Sequence, residues 1–453
     1  MAISKNKTLG VNALQQCINS LLGAHQSSLK FCIGLSGGVD SIALLHLFKQ
    51  LASQNTSIAV RALHINHQLQ NQSGDWQHFC QLFCMENKIP FESVSVRVPL
   101  ENSQGMEASA RAARYRAFRQ ALRPDEIMVT AHHLDDHIET IFLKLFRGAG
   151  VKGGAGIESL RTFHNTILFR PLLSFSRESI INYAQANNLE WMEDPSNKHI
   201  DIDRNFLRHE ILPRIESRWP GYRKTVNRFS KHLRESEMML EEMARQDYSR
   251  IISHEGLLID ELKKLSILRQ KLLVRYWLLT ESKINIESSH LNEIFKLIDA
   301  REDANPVVKI DGYEVRRFKK YVKLLEQQPQ MESDWCIKLD DLDFEQPIKI
   351  SDSHTLFLRK AKGKGIKMGY LHGSKIQISP RKGGEKCHPV SRDKSQSLKK
   401  IFQEMEIPPW RRDEIPLLYI DESIAAVIGE FYCKPFAVLN SNEEGFVIEL
   451  GKP

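Results

Sequence analysis

The sequence predicts an α/β protein: a doubly wound parallel sheet, then a helical middle domain and a small mixed α/β C-terminal domain. Three observations carry this. Strand and helix patterns alternate through the first ~200 residues, as in a parallel sheet covered on both faces. One long helical periodicity follows, from Tyr222 to Ile251. The last ~100 residues hold short strand-like runs around a single helix. A chain of 453 residues exceeds one compact core. The expected division is 1–218, 219–328, a linker at 329–352, and 353–453.

Leu29–Leu35 (LKFCIGL) is a short buried strand, followed by Ser-Gly-Gly and an amphipathic helix through Leu51. Ile58–Ile65 is a second strand and Gly74–Asn87 a helix. Phe91–Val98 alternates as a third strand, and Glu107–Leu122 carries Ala, Arg and aromatics at helical spacing. Ile127–Ala131 is the fourth strand, with the helix Asp135–Phe146 after it. Every helix lies between strands, so right-handed crossovers build the sheet. The Gly-rich Arg147–Ile157 (RGAGVKGGAGI) ends this rhythm, and a loop-rich part follows. The long helix places Val226, Phe229, Leu233, Leu240 and Ala244 on one face and opens a helical domain reaching to about Leu325. The acidic, Pro-containing Gln327–Ser353 is a linker with one short strand. Beyond it, Lys375–Ser379, Leu417–Ile420, Ala425–Ile428 and Phe446–Leu450 are strands, and Ser397–Met405 is a helix.

Composition excludes several classes. Apolar residues at 42% and charged residues at 26% describe a globular chain rather than a disordered or fibrous one. No apolar run approaches the ~18 residues that span a bilayer. The N-terminal segment lacks the basic-apolar-small order of a secretory signal, so a cytoplasmic location is expected, with no membrane association. Seven cysteines are few and odd in number, which favours free thiols over a disulfide framework. Cys80 and Cys84 have no further Cys or His pair at zinc spacing. The net charge of +7 is unevenly spread: Arg359–Arg412 carries 15 Lys/Arg against 4 Asp/Glu, and Arg204–Arg234 carries 9 against 2. Two basic zones on an otherwise slightly acidic chain suit a polyanion contacted at two places.

The sharpest local signal is Ser36-Gly37-Gly38-Val39-Asp40-Ser41, directly after a strand and opening a helix. Glycines admit close approach of a ligand to the backbone, and the first helical N–H groups, at the positive end of the dipole, form an anion cradle. Ser36 and Ser41 add hydroxyls, and Asp40 can help hold Mg²⁺ beside phosphates. No Gly-Lys-Ser/Thr follows, so this is not a Walker loop. A plain tight turn with a helix cap would need only one of these residues.

The second constellation is His132-His133-Leu134-Asp135-Asp136-His137-Ile138-Glu139-Thr140, running from the fourth strand into its helix. In a doubly wound sheet that strand end shares an edge with the first loop. Asp136 and Glu139 are three apart on one helical face, as Asp135 and Glu139 are four apart. Such carboxylates can hold Mg²⁺, or bind and deprotonate an amine, while His132 or His133 can donate to a phosphate. An acidic first turn that merely complements the helix dipole is the plainer alternative. Arg111 and Arg114, three apart on one helix, can stabilise charge developing at an α-phosphate. Arg204 and Arg208, four apart, can reach the bound phosphates or a polyanionic backbone, which the resemblance given below implies to be ATP or the anticodon. Lys399, Lys400, Arg411 and Arg412 are candidate RNA contacts. Pro408-Pro409-Trp410 is read as a rigid turn with a packed indole in preference to a stacking platform.

SGGVDS resembles the PP-loop of the ATP-pyrophosphatase group, which implies an adenine-nucleotide alpha-hydrolase-like fold and cleavage of ATP to AMP and pyrophosphate. HHLDDHIET with RGAG after it resembles the tRNA(Ile)-lysidine synthetases. So do His64-Ile65-Asn66-His67, Glu107-Ala108 through Arg111, Arg114 and Tyr115, Arg170-Pro171-Leu172-Leu173, Glu193-Asp194-Pro195-Ser196-Asn197, Arg204-Asn205 through Arg208 to Pro213, and Ser397–Tyr419. The likeness is weakest across Glu235–Asp352. It implies a ligase using ATP and Mg²⁺ that adenylates C2 of the wobble cytidine of an isoleucine tRNA with a CAU anticodon. Free L-lysine then displaces AMP to give lysidine, and the anticodon reads AUA instead of AUG. It implies catalytic roles for Asp40, His132, Asp136, Glu139, Arg111 and Arg114, with Asp40 and Asp136 at the metal, in a monomer or homodimer. A PP-loop tRNA thiolase is the alternative, but no paired CxxC sets are present. A glutamine-fed amidating ligase would need an ammonia source, and a non-catalytic tRNA-binding protein would have no use for SGGVDS beside HHLDDHIET.

Overall fold

The computed structural model describes residues 8–23, 28–66, 73–96, 106–284, 286–301, 304–327, 335–339, 347–351, 354–371 and 373–451. The chain forms two compact units, Met1–Glu241 and Glu242–Pro453. Among the described residues no helix is long and apolar enough to cross a membrane. His67, the end of the third predicted strand and much of the predicted linker lie outside the described residues.

In the first unit, β1 (Leu29–Gly34), β2 (Ile58–Asn66), β3 (Phe91–Ser95), β4 (Glu126–Val129), β5 (Leu160–Phe163) and β6 (Thr166–Phe169) form one sheet in the order β3-β2-β1-β4-β6-β5. All neighbours are parallel except β5 and β6. Helices α1 (Val11–Leu22), α2 (Val39–Gln54), α3 (Ser73–Glu86), α4 (Met106–Ala121) and α5 (Leu134–Phe146) accompany it. Successive β1 side chains serve opposite faces: Phe31 and Ile33 pack with Ile42, Leu45 and Phe48 of α2, and Cys32 packs with Ala117, Phe118 and Met128. A strand buried on both sides needs a continuous apolar run, which LKFCIG supplies. The Phe31 and Phe48 rings meet at 4.8 Å, and truncating Phe48 to Ala would cost about 3–5 kcal/mol.

From β1 the chain steps outward to β2 and β3, then returns to β4 on the other side of β1. That reversal opens a crevice at the carboxyl ends of β1 and β4, where ligands bind in open α/β sheets. A groove of about 490 Å³ bordered by Lys30, Asp125, Thr162 and Thr166 lies instead at the amino ends of these strands, away from that crevice.

The β5–β6 hairpin and α1 were not anticipated, the first because four-residue strands show too few periods to read. The helix Tyr222–Ile251 has the predicted bounds and most of the predicted face, with Ala244 buried and Val226, Leu233 and Leu240 half-buried, but Phe229 departs from it. Phe229 is 55% exposed, while Tyr222 and Ser230 are buried. Polar Ser230 and Arg234 dock on the Gly-rich segment, and a hydrophobic period cannot register them. His137 Nδ1 accepts the Ile157 N–H at 3.0 Å, so its Nε2–H donates to Ser230 Oγ at 2.8 Å, and Arg234 donates to the Ala155 carbonyl at 2.7 Å.

The second unit holds the helices Ile267–Ser282 and Ser288–Asp299, in the region expected to be helical. They pack Trp277, Leu273 and Ile294 over an unanticipated antiparallel sheet built from Ile252–Ser253, Gly256–Leu258, Tyr321–Glu326, Tyr313–Phe318 and Val307–Ile310. Antiparallel sheets and the helix Leu398–Glu404 form the remainder, with the long pair His354–Lys362 and Glu444–Gly451 among them.

Candidate active site

The chain leaves β1 through Leu35, whose carbonyl accepts the His64 Nδ1–H at 2.9 Å. Gly37 has φ +86°, and a Cβ there would lie 2.9 Å from Trp76 Cδ1 and 3.2 Å from Cys80 Sγ. Both the backbone and the space therefore require glycine. Ser41 Oγ accepts the Ser36 N–H at 3.1 Å and donates to the Gly38 carbonyl at 3.0 Å, which fixes the loop's curl. Gly38 starts α2 with no side chain capping it, leaving that helix end to an anion. Val39 is buried and anchors the first turn.

Across the crevice, α5 starts from an unusual N-cap. His133 Nδ1 accepts the Asp136 N–H at 3.4 Å, and Asp136 Oδ2 accepts the His133 N–H at 3.1 Å, a reciprocal box built with imidazole. Because Nδ1 accepts, the proton sits on Nε2. That atom lies 3.7 Å from Asp40 Oδ2 and 3.4 Å from Asp136 Oδ2. His133 thus joins the two motifs, since Asp40 opens α2 and Asp136 lies in the first turn of α5. Burial, only partly offset by His133, pushes the Asp40 carboxyl above its ordinary value. Burial opposes charge on Asp136 too, but His133, His132 and the His133 N–H outweigh it and hold that carboxyl low. Asp40 Oδ1 is buried with no hydrogen-bond partner. An orphaned carboxylate oxygen beside a second carboxylate fits a hard cation such as Mg²⁺.

The three carboxylates of α5 go to different partners. Asp135 accepts the Arg177 N–H at 2.8 Å and Arg223 Nε at 2.7 Å, a structural brace whose Oδ2 lies 3.8 Å from His133 Nδ1. Asp136 stays with His133. Glu139, wholly buried, takes a two-pronged contact from Arg208: Nε to Oε1 at 2.7 Å and Nη2 to Oε2 at 2.9 Å. Arg204 Nε adds a third approach at 3.5 Å, and Arg208 Nη2 lies 3.6 Å from Asp136 Oδ1. Burial pushes the Glu139 carboxyl up, and the Arg208 fork is the main force opposing it. Arg204 and Arg208, read from sequence as RNA contacts, are thus gathered around this carboxylate.

His132 hydrogen-bonds Thr130 Oγ1 at 2.9 Å. Burial depresses its pKa far below the imidazole range; Asp136 opposes this, and the charges of Arg170, Arg111 and Arg114 reinforce it. The two helical arginines therefore bear on the crevice with a third, Arg170, to which the sequence reading gave no role. Arg170 is buried, donates to the Glu158 carbonyl at 2.7 Å, and keeps its Nε without a partner. The Tyr115 hydroxyl is a further partner, so this buried cation keeps one donor unspent, and that donor suits an anion. His133 and Arg170 are the residues sequence reasoning undervalued. Histidine is not a standard N-cap, and only the RPLL motif marked Arg170.

In the second unit Lys399, Lys400 and Arg411 are exposed, and Arg412 donates to the Ile407 carbonyl at 2.8 Å. Trp410 is packed: its ring meets Phe318 edge-on at 5.6 Å, and the Arg316 guanidinium lies 5.2 Å from its centre. Lys319 pairs with Glu406 beside it.

Three family models match the chain: a PP-loop domain over residues 11–215, a TilS substrate binding domain over 257–322 and a TilS substrate C-terminal domain over 376–450. The tRNA(Ile)-lysidine synthase of Coxiella burnetii is 37% identical over 94% of this chain and 94% of its own. That of Nitrosomonas europaea is 36% identical over 94% and 93%. Among solved structures, the U34-tRNA thiolase NcsA from Methanococcus maripaludis aligns with TM-score 0.43 and 17% identity over 50% of this chain and 80% of that one. At these identities and near-complete coverage, the chain belongs to the tRNA(Ile)-lysidine synthase family, ATP-using ligases built on a PP-loop domain.

Proposed function

We propose that this protein joins free L-lysine to C2 of the wobble cytidine of an isoleucine tRNA with a CAU anticodon, so that the tRNA reads AUA instead of AUG. The cytidine O2 attacks the α-phosphorus of ATP and pyrophosphate leaves. Glu139 takes a proton from the lysine ε-ammonium, the freed amine adds at C2, AMP departs with the former O2, and the remaining surplus proton passes to solvent. The observation that carries this reading is the imidazole of His133, 3.7 Å from Asp40 and 3.4 Å from Asp136, which ties a phosphate loop to an acidic turn.

Ser36, Gly37, Gly38 and Ser41 shape the seat for the phosphates, and Val39 and Asp40 begin the helix whose positive end faces them. Arg111, Arg114 and Arg170 oppose the charge that builds on the α-phosphate, where fixed cations in a water-poor site count most. Neutral His132 donates a hydrogen bond there. Glu139 and Asp136 receive the lysine ammonium. Asp40 and Asp136 would hold Mg²⁺, which when bound neutralises phosphate charge. Lys399, Lys400 and Arg411 contact the tRNA backbone, with Arg412 bracing their turn. Sulfur transfer is poorly served, because burial pushes the Cys32, Cys80 and Cys84 thiols up to about 12.

The test is nucleoside mass analysis of bulk bacterial tRNA after incubation with labelled lysine. Lysidine should form only with ATP present, with AMP and pyrophosphate released in equal amounts. Product that requires sulfide and contains no lysine would replace this reading with the thiolase.

A further inference from the structure

The acidic pocket that this function assigns to an incoming ammonium already holds a cation. Both Glu139 oxygens are taken by Arg208, at 2.7 and 2.9 Å, and Asp136 Oδ1 is 3.6 Å from the same guanidinium. Burial works against the Arg208 charge. The hydrogen bonds to Glu139 and the fields of Glu139, Asp136 and Asp40 more than compensate, so the arginine feels every carboxylate of the crevice.

Two further features make this contact replaceable. Glu139 has a second guanidinium, Arg204 Nε at 3.5 Å, so it would remain charge-compensated if Arg208 withdrew. Arg208 also sits on a single π-turn, Leu207–Ile211, between the helical segments Asp203–Phe206 and Leu212–Arg218. The Leu212 N–H bonds the Leu207 carbonyl five residues back, and Pro213 has no N–H to offer the carbonyl four residues before it. A π-turn interrupts the regular α-helical register, and such turns are frequent at functional sites. The Arg208 side chain is 24% exposed against 1% for Glu139, so it approaches from the open side.

We propose that Arg208 is a resident stand-in for the lysine ammonium. It occupies the Glu139–Asp136 seat, and the phosphates of ATP draw it away, so lysine enters second. This rests on Glu139 being the amine seat. Carboxylate and phosphate present similar paired oxygens to a guanidinium fork, so the exchange trades one two-pronged contact for another. A buried ion pair adds little net stability over its desolvation cost, which keeps the exchange cheap. By linkage, lysine must tighten nucleotide binding by the same factor.

Calorimetric titration of the full chain with L-lysine, with and without Mg²⁺ and α,β-methylene-ATP, tests this. The wild type should bind lysine on the order of tenfold more tightly with the analogue. Arg208→Gln, which keeps a donor for Glu139 but no charge, should bind lysine with or without analogue nearly equally. Arg208→Lys, charged but without the fork, should fall between, and serves if the Gln variant does not fold. Equal lysine affinity in the wild type under both conditions overturns the stand-in role, as does a full nucleotide effect surviving in Arg208→Gln. Glu139→Gln separates the two layers. If it binds lysine like the wild type, Glu139 is not the seat and the functional reading fails there. If it loses lysine while the wild type shows no nucleotide effect, only the stand-in fails.

Discussion

Two buried arginine–glutamate pairs lie in the first unit, and they have opposite characters. Arg61, on β2, meets Glu126, at the start of β4, through Nε and Nη2, both at 2.6 Å. Its remaining donors reach Glu92 at 3.0 Å and the Ala121 carbonyl at 2.8 Å, while Glu126 also accepts the Arg123 N–H at 2.8 Å. Each partner is 5% exposed and held by a strand. Arg208 and Glu139 form the same fork, but the arginine rides a π-turn, faces three carboxylates, and shares its partner with Arg204. A saturated pair on rigid elements is a rivet, whereas an over-subscribed pair on an irregular helix is a place where ligands compete. Pair geometry alone does not distinguish them; the surroundings do.

Matched substitutions break the comparison most sharply. Glu139→Gln should lower lysidine formation on the order of a thousandfold while Tm moves by only a few degrees, measured by labelled-lysine incorporation and thermal melting. Arg61→Met should do the reverse. An uncompensated Glu126 costs about 3–5 kcal/mol in denaturant unfolding, with activity per folded molecule retained. A thousandfold activity loss in Arg61→Met would erase the distinction.

A third prediction concerns acid. Burial, reinforced by Arg234, depresses His137 from 6.5 to about 4. Between those values the unfolded chain binds a proton that the folded chain refuses, so stability is complete above pH 6.5 and falls as pH drops toward 4. The loss amounts to about 3 kcal/mol, and His137→Gln should flatten that part of the unfolding free-energy profile. The smallest effect belongs to the second unit. Neutralising Lys399, Lys400 and Arg411 should weaken tRNA binding and reduce its logarithmic salt slope by about 0.9 per lost contact. Neutralising Arg412 should instead lower the melting temperature, because it caps the Ile407 carbonyl.

The sheet edge was legible because its signals are local. A strand, a glycine pair and a helix lie within a few residues of SGGVDS, and the acidic turn follows β4 directly. The charge pairing was not, since Arg208 and Glu139 are 69 residues apart and nothing in either segment names the other. The His133 cap escaped because its role depends on which ring nitrogen accepts, a matter of placement rather than residue type. The sheet of the second unit was hidden by strands such as Tyr313–Phe318, whose charged residues are partly covered by neighbours distant in sequence.

The indole of Trp410 has a bearing on how the molecule can be cut. A polypeptide ending before residue 376 would keep Phe318, Arg316 and Lys319 on their hairpin but lose the ring and the Glu406 carboxylate that face them. Arg316 would keep Glu314 at 2.7 Å, but Lys319 would be left unmatched beside a bare aromatic edge, a sticky surface suited to self-association. The tail is therefore a fitted cover for its neighbour, and excising it would yield an adhesive fragment in place of a smaller, well-behaved enzyme.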